Sequence, residues 1–136
     1  MDKLSQVVME NFYLRATPKT PEINFDVIKG VFEISGRSIP ENSVEFYKPL
    51  LVWLDRYIQE PNSNTHLKII LEYFNTSSSK CLVEIFRRLE ILHKEGRELQ
   101  IDWYYEKEDE DILESGQDFR EIMKLPIDII LINSET

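Results

Sequence analysis

Three stretches of the chain repeat apolar residues at steps of three and four, the spacing that gathers one face of an α-helix. The first comprises Val44, Tyr47, Leu50, Leu51, Leu54 and Ile58, with Pro61 as its stop. Asn42 and Ser43 can both cap it, and Asn42 with Glu45 has the capping-box spacing. The second comprises Leu82, Ile85, Phe86, Leu89 and Leu92, and Gly96 sits where a helix C-cap belongs. The third carries Ile112, Gly116, Phe119 and Met123 and ends at Pro126. Its first turn is acidic, which suits the positive end of a helix dipole. Between the helices the period falls to two, as in a strand. Over 65–74, Leu67, Ile69, Leu71 and Tyr73 share one face, while Ile70 and Phe74 make the other partly apolar. That pattern predicts a strand covered on both sides. Leu99, Ile101, Trp103 and Tyr105 alternate with Gln100, Asp102 and Tyr104, and 127–132 is a short last strand.

Ahead of these, 12–16 is a candidate first strand. The run Ala16-Thr17-Pro18-Lys19-Thr20-Pro21 reads as an extended connector, because a residue before proline is pushed out of the helical region. Segments 22–26 and 31–35 flank a turn containing Gly30 and predict a hairpin. The order β, β, β, α, β, α, β, α, β predicts an α/β fold. Its mixed sheet has an N-terminal antiparallel part, with right-handed α/β crossovers packed on it.

At 136 residues the chain is one domain's length. Cys81 is its only cysteine, which excludes an intrachain disulfide framework. No apolar run approaches the roughly 20 residues that span a bilayer. The first residues also lack the basic-then-apolar pattern of a signal peptide, so a soluble, cytoplasmic protein is expected. The formal net charge is −9. A field of that sign repels phosphate backbones and anionic lipid, so neither nucleic acid nor membrane is an expected partner.

In a parallel sheet, the loops after the carboxyl ends of the strands gather at one edge. Segments 35–43, 75–80 and 106–111 qualify. The second is Asn75-Thr76-Ser77-Ser78-Ser79-Lys80, four consecutive hydroxyls where a strand turns into a helix. The N–H groups of a helix start are unsatisfied and favour negative charge, so a phosphate attached there has donors. Simple N-capping by a hydroxyl is the plainer use of the same residues. Nucleophilic catalysis would need a base within hydrogen-bond reach. His66 lies about ten residues and ~30 Å back along the strand, and His93 is ~25 Å away along the helix. Two distant histidines and one cysteine make no zinc set. The acidic run 106–111 lacks the glycine and spacing of a calcium loop. The four glycines are isolated, so no glycine-rich phosphate loop exists. An enzyme, a metal and a cofactor are therefore not expected. Cys81 follows the hydroxyl run, where the dipole lowers a thiol pKa; a buried packing role is the alternative. Tyr104 stands on the opposite strand face from Trp103 and Tyr105, as a packing residue or an aromatic partner contact.

The segments Ser35-Gly36-Arg37-Ser38-Ile39-Pro40-Glu41-Asn42-Ser43, Leu71-Glu72-Tyr73-Phe74-Asn75-Thr76-Ser77-Ser78-Ser79-Lys80 and Asp102-Trp103-Tyr104-Tyr105 resemble the SiaC family of bacterial regulatory phosphoproteins. The opening 16–22 is also similar, and the likeness runs from about 12 to 132. It implies a STAS-like fold, of the anti-sigma-factor-antagonist type, over 12–136, with 1–11 as an N-terminal extension. It also implies a non-catalytic adaptor cycled by a serine/threonine protein kinase and a PP2C-type phosphatase. The free form would activate an effector such as a diguanylate cyclase, linking the switch to cyclic-di-GMP and biofilm control. The family's phosphorylated threonine corresponds to Thr76. Arg37, Glu41, Asn42, Ser43, Asn75, Ser77, Ser78 and Tyr104 are then the expected partner-binding residues. The rival reading is a small-molecule or nucleotide sensor on the same fold.

Overall fold

Six strands hydrogen-bond into one sheet whose spatial order is the sequence order. The computed structural model describes residues 9–132; residues 1–8, most of the expected extension, lie outside the described residues. Strands β1 (Phe12–Leu14), β2 (Glu22–Asp26) and β3 (Val31–Ser38) pair antiparallel. From β3 onward the pairing is parallel through β4 (Asn64–Phe74), β5 (Glu98–Tyr105) and β6 (Ile127–Leu131). Helices α1 (Ser43–Tyr57), α2 (Thr76–Lys94) and α3 (Glu110–Met123) form the crossovers. The expected mixed α/β sheet is thus the observed one.

The register lines up apolar residues in rows across the sheet. Phe25, Phe32, Leu67, Ile101 and Ile127 form one row, and Ile23, Ile34, Ile69 and Trp103 form the next. All nine are buried. The helices cover these rows with Tyr47, Leu50, Leu54 and Tyr57 from α1, Leu82 to Leu92 from α2, and Ile112, Phe119 and Met123 from α3. The row on the opposite face reads Asn24, Glu33, Lys68, Asp102 and Asp128. That face carries no helix, so β4 is covered on one side only, not on both as its composition predicts.

The expectation fails at the end of β4 for a local reason. The β3–β4 register passes from Gly36↔Leu71 to Arg37↔Tyr73, leaving Glu72 as an extra residue. A bulge of this kind swaps the faces of the residues beyond it. Tyr73, predicted in the core, is 52% exposed. Phe74 turns to the helix side, edge-on to Trp103 at 5.9 Å. Val44, also predicted on the core face of α1, is 70% exposed, and its neighbour Ser43 points inward instead.

The candidate loops are shorter than the sequence suggests. Ladder bonds to β4 carry β3 on to Ser38, and α2 begins at Thr76. Asn42, Asn75 and Asp109 cap the three helices through their side-chain oxygens. Gly96, at φ 82°, closes α2 one residue past its C-cap Glu95. There its N–H donates to the His93 carbonyl and that of Arg97 to Leu92, the paired bonds of a Schellman ending.

Gly116 sets how closely α3 approaches the sheet. A Cβ there would lie 2.3 Å from Cδ1 of Trp103, whose indole N–H donates to the Ile112 carbonyl at 2.8 Å. Gly116→Ala must displace a fully buried tryptophan, and we expect it to cost about 1–3 kcal/mol in urea denaturation. Gly96→Ala meets no atom within 4 Å and should cost only the left-handed backbone strain, about 1–2 kcal/mol. A Gly116→Ala chain as stable as the parent would contradict this packing.

Candidate functional site at the start of the second crossover helix

The hydroxyl run begins a helix because Asn75 both ends β4 and caps α2. Its backbone is extended, its N–H donates to the Ser38 carbonyl at 3.0 Å, and its side-chain oxygen accepts from the Ser78 N–H at 2.8 Å. The plainer use of the run, capping by a hydroxyl, is therefore not the observed one: an amide side chain does that work. With Asn75 as cap, Thr76 to Ser79 form the first helical turn, and their side chains fan out in four directions.

The four hydroxyls consequently differ. Ser78 is fully buried and donates to the Ser38 carbonyl at 3.0 Å. Its Oγ lies 2.7 Å from that of Ser38, which in turn lies 2.7 Å from the Tyr47 hydroxyl. Ser77 is exposed at its surface but donates to Asn75 at 3.2 Å, and its Oγ lies 2.7 Å from that of Ser43. Ser79 donates to the Thr76 carbonyl at 2.8 Å. The Thr76 side chain is exposed and its hydroxyl has no partner among the described residues.

One proton ordering satisfies the buried members. Tyr47 donates to Ser38, Ser38 to Ser78, Ser78 to the Ser38 carbonyl, and Ser43 to Ser77. Burial pushes the Tyr47 pKa up to about 12, more than the Ser38 hydrogen bond lowers it, so Tyr47 stays a neutral donor. Cys81 lies beside this chain, its thiol 3.6 Å from the Ser43 carbonyl. Burial, and then the Glu84 charge, push its pKa up. The helix dipole does not make it a thiolate; it is a buried packing residue.

Helix α2 has no acidic residue in its first turn, so its positive end is not neutralised. The N–H groups of Ser78 and Ser79 are occupied by Asn75. Those of Thr76 and Ser77 have no acceptor among the described residues and are the ones left to face an anion.

The other expected site residues divide in two. Ser43, Asn75, Ser77 and Ser78 join in one hydrogen-bonded group, with Ser43 and Ser78 buried beneath the surface. Asn42 caps α1 through the Glu45 N–H at 3.1 Å. Arg37 and Glu41 are exposed, Arg37 opposite Tyr73 across the ladder. Tyr104 stands apart on the helix-free face, its pKa raised by burial and then by Asp102 and Glu33. On that face His66 is hydrogen-bonded to Asp102 at 2.6 Å. In the acidic run, Asp109 caps α3 through the Ile112 N–H. The sequence reading missed Ser38 and Tyr47, which anchor the buried chain. A tyrosine on the core face of a helix was the available signal, since a buried phenol needs a partner. It also missed Val44 and Tyr73, exposed beside Ser43 and just ahead of Thr76.

Comparison with known proteins gives a consistent answer. The sequence profile described as SiaC family regulatory phosphoprotein matches residues 14–132. An uncharacterised protein of Pseudomonas aeruginosa strain UCBPP-PA14 is 32% identical over 121 residues, 89% of this chain and 96% of that protein. The structure of apo-SiaC from Pseudomonas aeruginosa superposes with TM-score 0.82 at 31% identity, covering 90% of this chain and 99% of that one. A second SiaC structure from that organism gives 0.84 at 31%, covering 91% and 100%. A chain in the crystal structure of the diguanylate cyclase SiaD in complex with its activator SiaC gives 0.83 at 31%, covering 89% and 99%.

The buried hydroxyl chain generates two expected outcomes. Ser38→Ala leaves Tyr47 and Ser78 short of partners and should cost about 1–3 kcal/mol by urea denaturation. Cys81, buried and protonated, should react with iodoacetamide at neutral pH only at the rate of unfolding. Fast alkylation of the native protein would contradict its environment.

Proposed function

The chain belongs to the SiaC family of regulatory phosphoproteins, and from that premise we propose that it is a non-catalytic signalling adaptor switched at Thr76. In this reading the unphosphorylated form binds and activates an effector of the diguanylate cyclase type. A serine/threonine kinase adds the phosphate and a PP2C-type phosphatase removes it, with cyclic-di-GMP and biofilm behaviour as the output. The activator role is that of SiaC in its complex with SiaD, carried here to a relative. The observation that carries the site is the inequality of the four hydroxyls. Ser78 is buried, Ser77 and Ser79 are hydrogen-bonded, and Thr76 alone is both exposed and unpartnered among the described residues.

The switch works locally. A phosphate adds roughly −1.5 to −2 charges to a chain already at −9, and exposed charges are screened beyond ~8 Å at physiological salt. Held by the N–H groups of Thr76 and Ser77, the dianion leaves the buried hydroxyl chain beneath it undisturbed. The effector contacts the surrounding edge: Arg37, Glu41, Asn75 and Ser77, with Val44 and Tyr73 as the apolar part. Ser43 and Ser78 support that surface from below, Asn42 sets the start of α1, and Tyr104 belongs to a separate contact on the other face. Docking would have to desolvate the dianion against a surface that fits a neutral hydroxyl, at a cost of several kcal/mol, and each 1.4 kcal/mol is tenfold in affinity.

Co-expression with the cognate kinase should give one added phosphate, mapped to Thr76 and absent from Thr76→Ala. That variant should keep its fold, because Asn75 is the cap. The phosphorylated form should bind the effector at least about tenfold more weakly, and Thr76→Asp should show part of that loss. Phosphate mapped to Ser78 or Ser79, equal affinity of the two forms, or amide NMR changes spread far from this edge would sink the proposal.

A further inference from the structure

Strands β4 and β5 part before either of them ends. Their ladder runs from Asn64↔Glu98 to Ile69↔Trp103 and stops. Yet β4 stays paired with β3 as far as Ser38↔Phe74, and β5 stays paired with β6 at Tyr105↔Leu131. The sheet therefore splits at the carboxyl ends of its parallel strands, the region where open α/β sheets receive ligands. A cavity of about 520 Å³ fills the split, a size within the usual range for binding sites. Ile70, Leu71 and Tyr105 give it apolar walls, and the carboxylates of Glu72, Glu106 and Asp109 line it with no basic side chain among the lining residues. One oxygen of Asp109 is used in capping α3; Glu72 and Glu106 are exposed.

The lining selects the ligand by charge and shape. Phosphates are repelled by three carboxylates, so a nucleotide is a poor occupant. Apolar walls ending in an aromatic ring and a carboxylate rim fit an alkyl stem that ends in a cation. The stem would lie along Ile70, and the cation would meet the Tyr105 ring and the carboxylates. We propose that this cleft is a docking site for an arginine or lysine side chain on a basic segment of a partner protein. The charge of −9 on the chain complements such a segment. The inference does not depend on Thr76 or its modification, since neither Thr76 nor its hydroxyl neighbours line the cleft, which is built by Ser35 and Gly36 of β3, the ends of β4 and β5, Asp109 and Ile132.

The test is an amide NMR titration of the unphosphorylated full chain at physiological salt. The probes are end-blocked Gly-Gly-Arg-Gly-Gly, the same peptide with Lys or Leu in place of Arg, and free agmatine. The expected result is shifts confined to 70–72 and 105–109 with the Arg and Lys peptides. Binding should be at least about tenfold weaker for the Leu peptide and for the Glu72→Gln/Glu106→Gln variant. Both substitutions are at exposed positions, and an unchanged thermal transition would show that the variant folds. Equal binding of the Leu peptide would reduce the cleft to an apolar hollow and overturn the proposal. Tighter binding of agmatine than of either basic peptide would assign the cleft to a free amine and overturn the partner. No binding, or shifts scattered over the acidic surface and unaffected by the variant, would overturn it altogether.

Discussion

A strand that feeds a helix and then a parallel neighbour packs back onto the sheet only as a right-handed crossover. Here three such crossovers succeed one another with no reversal of strand order, so all three helices fall on one face. Much else in the structure depends on that constraint. One face of the sheet becomes the core, in rows from Phe25 to Ile127 and from Ile23 to Trp103. The other keeps a row of polar and charged residues, of which Asp102 is buried against His66 and Gln100. Each helix starts where a strand has just ended, so the three capped N-termini collect at one edge.

The seam between α1, α2 and the ends of β3 and β4 sits at that edge, and it is closed by hydroxyls instead of methyl groups. Buried polar groups destabilise unless they are satisfied. Here Tyr47, Ser38, Ser78 and Ser43 satisfy one another and a backbone carbonyl. The result is a buried, hydrogen-bonded platform under the first turn of α2. The same platform sorts four adjacent hydroxyls by accessibility, which composition alone cannot do.

A second consequence of the sheet geometry lies a few residues away. The extra residue Glu72 turns Tyr73 outward and Phe74 toward Trp103 and Phe119. Just before it, beyond Ile69, β4 leaves β5. The hydroxyl-rich helix start and the acid-lined cleft thus both adjoin one distorted strand end, with Glu72 exposed between Leu71 and Tyr73.

What the sequence determined by itself were the elements and their order. Periods of 3.6 and 2.0 are properties of local backbone geometry, so steps such as Leu82-Ile85-Phe86-Leu89 or Leu99-Ile101-Trp103 declare helix and strand without knowledge of the partner. The run Asn75–Lys80 was legible as the loop where a strand turns into a helix, though not as the helix's own first turn, and Asn42 as a cap by its spacing to Glu45. Tertiary structure decided what depends on neighbours distant in sequence. Apolar Ile70 and Phe74 suggested a strand covered twice, but strand order left one face bare. Alternation put Tyr73 in the core, but a bulge against β3 turned it out. The equal-looking hydroxyls of 76–79 became unequal only when Ser38 and Ser43 arrived from another part of the chain. Local pattern fixes which conformation a segment adopts; long-range pairing fixes which of its side chains meet water.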